Sequence, residues 1–288
     1  FWSEIKKIRG HHCNLPGTVD DCSTDGEIAN SFADKYKDLY SSVSYNVDEV
    51  NCLKHKLNEE TGKSDIDEAN VSPSEIYMAI CQLNSGKSDG TTGLMSDHFI
   101  NAGSDLCKHL SVLISGMLSH SFVPDDLSVS TIIPIPKGHK GTSLSNSDNY
   151  RGICLSSIIC KIIDLVVLQR YLDKLSTSEL QFGFKAGRST NMSTMLVKEA
   201  ITYYTSNSSS VFCTLLDAKS AFDRVNYSKL FNLLNDRKIP PLVVRFLMNM
   251  YTCHKTRVSW NGSLSDFFQR RMVSSKVVYS VPFYFVSI

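Results

Sequence analysis

The stretch that decides how this chain is read is Val211-Phe212-Cys213-Thr214-Leu215-Leu216-Asp217-Ala218-Lys219-Ser220-Ala221-Phe222-Asp223-Arg224-Val225. Its first six residues are almost continuously apolar, the pattern of a central strand buried on both faces, and the run ends in a carboxylate. A carboxylate delivered to the mouth of such a strand is costly to bury alone, and a hard, oxygen-liganded Mg2+ is one partner that offsets the cost. The other reading of Asp217 is a cap on the turn or helix that follows, and on spacing alone it is the simpler one.

Helical patterns precede this stretch. Ile28, Phe32, Tyr36, Leu39, Tyr40 and Val43 recur at helical spacing over 27–43, and residues 46–72 read as a polar linker with one short helix around 50–57. Ser72-Pro73-Ser74-Glu75 opens a helix to about Leu83, with a capping residue and a proline in the first turn. Further helices are predicted over 106–118, 156–175 and 190–204. Ser130 to Lys137 reads as a strand whose prolines suit a sheet edge. After Val225, two helices flank Pro240-Pro241, and Asn261-Gly262 joins two strand-like runs as a hairpin. The pattern is α+β and rich in helix.

The glycine-rich Ser85-Gly86-Lys87-Ser88-Asp89-Gly90-Thr91-Thr92-Gly93 invites comparison with a phosphate-binding loop, but no Gly-Lys-Ser/Thr closes it onto a helix. Close approach to a nucleic-acid strand and a plain connection remain equal readings of it. His11, His12, Cys13 and Cys22 lack the second half of a zinc-ligand pattern.

The 288 residues carry a net charge of +1, with 42% hydrophobic and 20% charged residues, which excludes a disordered tail, a collagen-like repeat and a disulfide-stapled toxin. The total hides an asymmetry. Residues 15–75 hold 14 acidic and 5 basic side chains, 137–188 hold 4 and 8, and 219–276 hold 3 and 11. An acidic leader followed by two basic blocks suggests a polyanion partner for the later part, although solvated helix faces account for many of these charges singly. Nine scattered cysteines without a CxxC pair suit a reduced intracellular chain. No run approaches the roughly 20 apolar residues of a membrane helix. The first residues are not a secretory signal, and the chain, beginning without Met, reads as a piece of something longer.

In its context, Asp217 to Val225 resembles the Asp-x-x-x-Ala-Phe-Asp-x-Val of the reverse transcriptases of non-LTR (LINE-type) retrotransposons. The resemblance continues in order along about 85–268. Ile133-Pro134-Ile135-Pro136-Lys137 and Asn149-Tyr150-Arg151-Gly152-Ile153-Cys154-Leu155 are similar to the family's fingers motifs, with Gly152 where proline is usual. Gln181-Phe182-Gly183-Phe184-Lys185-Ala186-Gly187-Arg188-Ser189-Thr190 is similar to its Gln-x-Gly-Phe-x-x-Gly-Arg-Ser-Thr signature, and Ile239-Pro240-Pro241 and the Val258 to Gly262 hairpin also fall in family order.

The resemblance implies a right-hand polymerase that copies an RNA template onto a DNA primer from dNTPs with Mg2+. It divides the chain into a leader (1–84), fingers (85–210) and a partial palm (211–270). It implies that Asp217, with the carbonyl of Ala218, holds the metal for in-line phosphoryl transfer. Arg151, and less surely Lys137, would clamp the triphosphate, because a guanidinium binds two phosphate oxygens at once. Phe222 would exclude a ribose 2′-hydroxyl, and Lys185 and Arg188 would contact template or primer backbone. An upstream endonuclease region of the same polyprotein and a cytoplasmic or nuclear location are also implied. Gly152 is expected to loosen the backbone beside Arg151, and Lys219-Ser220 stands where Ser-Lys is commoner.

After the hairpin the family continues with a Gln-Gly motif and a Tyr/Phe-Ala-Asp-Asp turn, and neither is present; no carboxylate follows Asp266. Codons exist for residues 271–288 that, read from the third base of each, spell Asn-Gly-Val-Lys-Gln-Gly-Gly-Val-Leu-Ser-Pro-Leu-Leu-Phe-Cys-Val-Tyr, which is the missing motif. The expectation is a truncated, frameshifted fragment whose tail (271–288) is out of frame and which is inactive as written. The rival expectations are a non-catalytic nucleic-acid-binding remnant and an unstable pseudogene product.

Overall fold

Thr24 starts the first helix by accepting the Glu27 N–H on its hydroxyl, while the Glu27 carboxylate accepts the Thr24 N–H. In this computed structural model, which describes residues 16–41, 46–62, 66–90, 92–138, 143–175, 178–183, 185, 187–217 and 225–269, that helix is α1 (Asp25–Tyr40). It ends earlier than the apolar spacing predicts. The predicted linker contains a longer helix than expected, α2 (Val47–Thr61), capped by the Asn46 side chain. A short 3-10 turn (Ile66–Ala69) leads into α3 (Pro73–Cys81), whose Ser72–Glu75 capping box and first-turn proline are those the sequence signals. Then come α4 (Ser96–Ile100), α5 (Ser104–His120), β1 (Val129–Pro136), β2 (Tyr150–Ser156), α6 (Ile158–Arg170) and α7 (Thr190–Ser206). The described chain closes with α8 (Tyr227–Asp236), α9 (Pro241–Thr252), β3 (Lys255–Trp260), β4 (Ser263–Leu264) and β5 (Phe268–Gln269).

The strands make one sheet in the order β2-β1-β3-β4, with β5 also on β3. β1 is therefore central, where its prolines predict an edge. The two observations are reconciled by register: β3 runs parallel to β1 only over Val129 to Ile132, whereas Pro134 and Pro136 lie beyond it and pair with β2 alone, opposite Gly152 and Tyr150. Each proline sits where β1 has become an edge, so no ladder donor is lost on that side. Asn261 and Gly262, at φ 48° and 88°, form the turn into β4, because two consecutive positive φ angles twist a two-residue loop in the sense of the strands.

Alternation along the strands gives the sheet a buried back and an open front. On the back, Ile132, Cys154, Thr256, Val258 and Trp260 are buried, and α1 packs Phe32 against Tyr150 and Trp260 with ring centroids 5.2 and 5.3 Å apart. Beside the sheet, α3 packs on α5 and α6, and α9 packs on α2 and α8. Tyr251 of α9 donates to the buried Asp164 carboxylate of α6 at 3.0 Å, so a polar group in that layer is paired.

α7 forms where predicted, with none of its residues buried. One segment departs from the sequence reading. Residues 211–217 are not a strand, and Phe212, Leu215 and Leu216 are 94%, 96% and 94% exposed. A continuous apolar run becomes a buried central strand only when neighbours hydrogen-bond to both edges, and none of the described strands pairs with it.

Candidate nucleotide and template site

Arg151 is the second residue of β2 and stands exposed on the open front of the sheet, in register with Ile135. The two residues before it fix its base. The Asn149 side chain donates to the Ser143 carbonyl at 2.8 Å, and the Tyr150 hydroxyl donates to the Leu144 carbonyl at 2.7 Å. The Asn149 carbonyl accepts the Lys137 N–H at 2.7 Å, extending the β1–β2 ladder past Pro136. Lys137 thereby lies at the same end of the hairpin as Arg151, with its ammonium donating to the Asp148 carbonyl oxygen. The Asp148 carboxylate is taken by Lys35 of α1 at 2.6 Å. Arg151 has no ion pair among the described residues.

Gly152 does not loosen this strand. A Cβ there would meet the Tyr36 ring at 2.9 Å and Ile132 at 3.0 Å, so the missing side chain is replaced by the α1 ring. The backbone next to Arg151 is packed from behind.

Lys185 and Arg188 are brought together, but on a carboxylate. Glu179 accepts from Lys185 at 3.2 Å and from Arg188 at 2.7 Å, and Arg188 also lies over the Phe182 ring, 5.2 Å from its centroid. The hydrogen bond from Lys185 and the two positive charges hold the Glu179 carboxyl below its ordinary range. Sequence reading passed over Glu179, although a lone acid two residues before the Gln-x-Gly-Phe signature is visible there.

The glycine-rich loop resolves toward the structural reading. Asp89 is fully buried and accepts the N–H groups of Thr92 and Gly93 at 3.0 and 3.2 Å, and Asp97 accepts the Gly86 N–H at 2.7 Å. Gly90, at φ +70°, packs on Leu155, where a Cβ would come within 2.6 Å of its side chain. These N–H groups are engaged inside the protein and do not form a phosphate cradle.

Asp217 ends the exposed segment 211–217, off the five-stranded sheet. Ala218 and Phe222 lie outside the described residues, as does the tail from 271. No group of three or more His, Cys, Asp or Glu side chains among the described residues is arranged to hold a metal ion. One exposed carboxylate does not supply the oxygen donor set that Mg2+ requires, so the described residues by themselves do not fit the ion. No described helix is long and apolar enough to cross a membrane.

The strands of this mixed helix-and-strand domain carry three basic and no acidic residues, and residues 135–275 match the family model for reverse transcriptase (RNA-dependent DNA polymerase). A relative is the "Putative 115 kDa protein in type-1 retrotransposable element R1DM" of Drosophila melanogaster, 26% identical over 163 residues, which is 56% of this chain and 16% of that protein. The chain thus spans a small part of the relative's length. Together with the family match, this likeness supports a reverse transcriptase domain of the non-LTR, LINE type in this segment.

Proposed function

We propose that this chain is the nucleotide- and template-binding part of an RNA-directed DNA polymerase, with fingers over 85–210 and the beginning of a palm over 211–270. The observation that carries the reading is Arg151. It is exposed on the sheet front beside Lys137, rigidly based and without an ion pair among the described residues, and a planar guanidinium in that state suits two oxygens of a triphosphate. Lys185 and Arg188 exchange Glu179 for the phosphates of the template or primer. Asp217 is the candidate metal carboxylate, Ala218 its neighbouring carbonyl, and Phe222 the residue that discriminates the sugar.

By itself the chain binds substrates and does not polymerise, because its one candidate carboxylate is too few for a metal-assisted transfer. The upstream endonuclease region and the out-of-frame origin of residues 271–288 belong to the same proposal. The genomic nucleotide sequence tests the latter directly, since codons that do not encode the Gln-Gly motif in the alternate frame exclude it.

Equilibrium binding of a labelled dNTP tests the main reading. The expected result is saturable binding that weakens at least about tenfold in Arg151→Ala, the loss of a charge-assisted pair of hydrogen bonds. Absence of dNTP binding, or binding indifferent to Arg151, overturns it.

A further inference from the structure

The sheet front carries a second group of side chains, away from Lys137 and Arg151. β3 sets Arg257 on that face, in register with Thr131 of β1, whose hydroxyl accepts its Nε–H at 3.5 Å. The Arg257 guanidinium lies over the Phe267 ring, 5.2 Å from the centroid, and Phe267 is 53% exposed. Ile133 and Ile135, 37% and 46% exposed, continue the surface toward Arg151. The strands hold Arg151, Lys255 and Arg257 and no Asp or Glu at any position. Strand geometry sets Arg257 and Arg151 roughly 16 Å apart, four residues along β1 and two strand spacings across it.

An aromatic ring open to solvent, stacked with a guanidinium and followed by apolar side chains on a face of one charge, has the composition of a single-strand platform. The ring offers a π-face to any unpaired base, the isoleucines offer apolar contact, and the cations meet the phosphates on either side. A double helix keeps its bases stacked on one another and has none to offer such a ring.

We propose that Arg257 and Phe267 form a stacking platform for an unpaired base of single-stranded RNA, whose backbone then runs across the sheet front toward Arg151. The proposal rests on the reverse transcriptase reading, which makes the occupant template RNA and not DNA.

The test uses the full chain and a single-stranded RNA oligonucleotide carrying 2-aminopurine, with anisotropy reporting affinity and quenching reporting stacking. Wild type is expected to bind and quench. Phe267→Leu loses the quench and binds about tenfold more weakly, Phe267→Tyr restores both, and Arg257→Gln weakens binding. An RNA duplex of the same length gives no quench. Quenching and affinity unchanged in Phe267→Leu overturn the proposal, as does wild-type binding without a quench, and tighter, equally quenched binding of DNA overturns the choice of RNA. Binding of dNTP by the wild-type chain is measured in parallel. If dNTP binds and RNA does not stack, the platform alone fails; if neither binds, the reverse transcriptase reading fails with it.

Discussion

The ring of Tyr36 occupies the space a side chain at Gly152 would need, 2.9 Å from the position of a Cβ. An amphipathic helix near the start of the chain is thereby matched to the strand that carries the candidate triphosphate-binding arginine. Gly152→Ala is expected to destabilise the fold by about 1–3 kcal/mol, the cost of overpacking a filled site. Combining it with Tyr36→Leu should give less than the sum of the single effects, because the two residues compete for one space. Urea titration with a double-mutant cycle measures the coupling, and strict additivity contradicts the contact.

A second clamp ties the region before α3 to α6. Arg170 donates to the Glu75 carboxylate at 2.6 and 2.8 Å and to the carbonyls of Glu68 and Asn70 at 3.1 and 2.8 Å. Burial works to raise the Glu75 carboxyl, but the Ser72 N–H and Arg170 outweigh it and hold the carboxyl below its ordinary value. A depressed carboxyl stabilises the fold above its unfolded value, and that contribution is lost as pH falls through the lower folded value. Arg170→Ala is expected to cost about 2 kcal/mol. Thermal melts between about pH 2 and 6 should lose part of their acid-side slope in Glu75→Gln.

Glu179 competes with phosphate for Lys185 and Arg188. Glu179→Gln is expected to raise RNA affinity by about threefold or more at low salt, with a steeper salt dependence, since two cations are released for counterion exchange. Acid has the same direction of effect as pH falls through the lowered Glu179 value. Affinity measured at several salt concentrations checks this, and a Glu179→Gln chain with unchanged affinity and slope places the two cations outside the nucleic-acid surface.

The described cysteines are free thiols, and their environments differ. Burial, with the charge of Asp164 beside it, pushes Cys160 up to about 12, whereas Cys52, Cys81, Cys213 and Cys253 are exposed. Mass spectrometry after iodoacetamide at about pH 8 should find the exposed thiols alkylated and Cys160 unmodified until the fold is denatured. Alkylation of native Cys160 at the exposed rate contradicts its burial.

Asp217 is exposed, so Asp217→Asn should leave the unfolding free energy within about 0.5 kcal/mol of wild type in a thermal melt. Cooperative melting of both chains also speaks against an unstable product.

Local chemistry made most helices and the hairpin legible from sequence. Ser72 with Pro73, and Asn261 with Gly262, act on neighbours within a few residues, and each does in the structure what its pattern predicts. The spacing of Asn149, Tyr150 and Arg151 was equally readable, and the motif order that carried it pointed to the family that the comparisons support. What a residue meets at long range was not readable. The apolar run 211–217 has the composition of a central strand, but strand identity depends on edges supplied by distant chain, and none of the described strands pairs with it. Prolines announced an edge without saying that β1 is central for half its length. Gly152 looked like slack until Tyr36 filled it, Lys185 and Arg188 looked free until Glu179 joined them, and Arg257 met Phe267 only across the sheet. Sequence by itself determined caps, turns and the class of chemistry, because these act through covalent neighbours and residue type. Tertiary structure decided which charges are spent and which remain open to a ligand, because that depends on partners brought close only by folding.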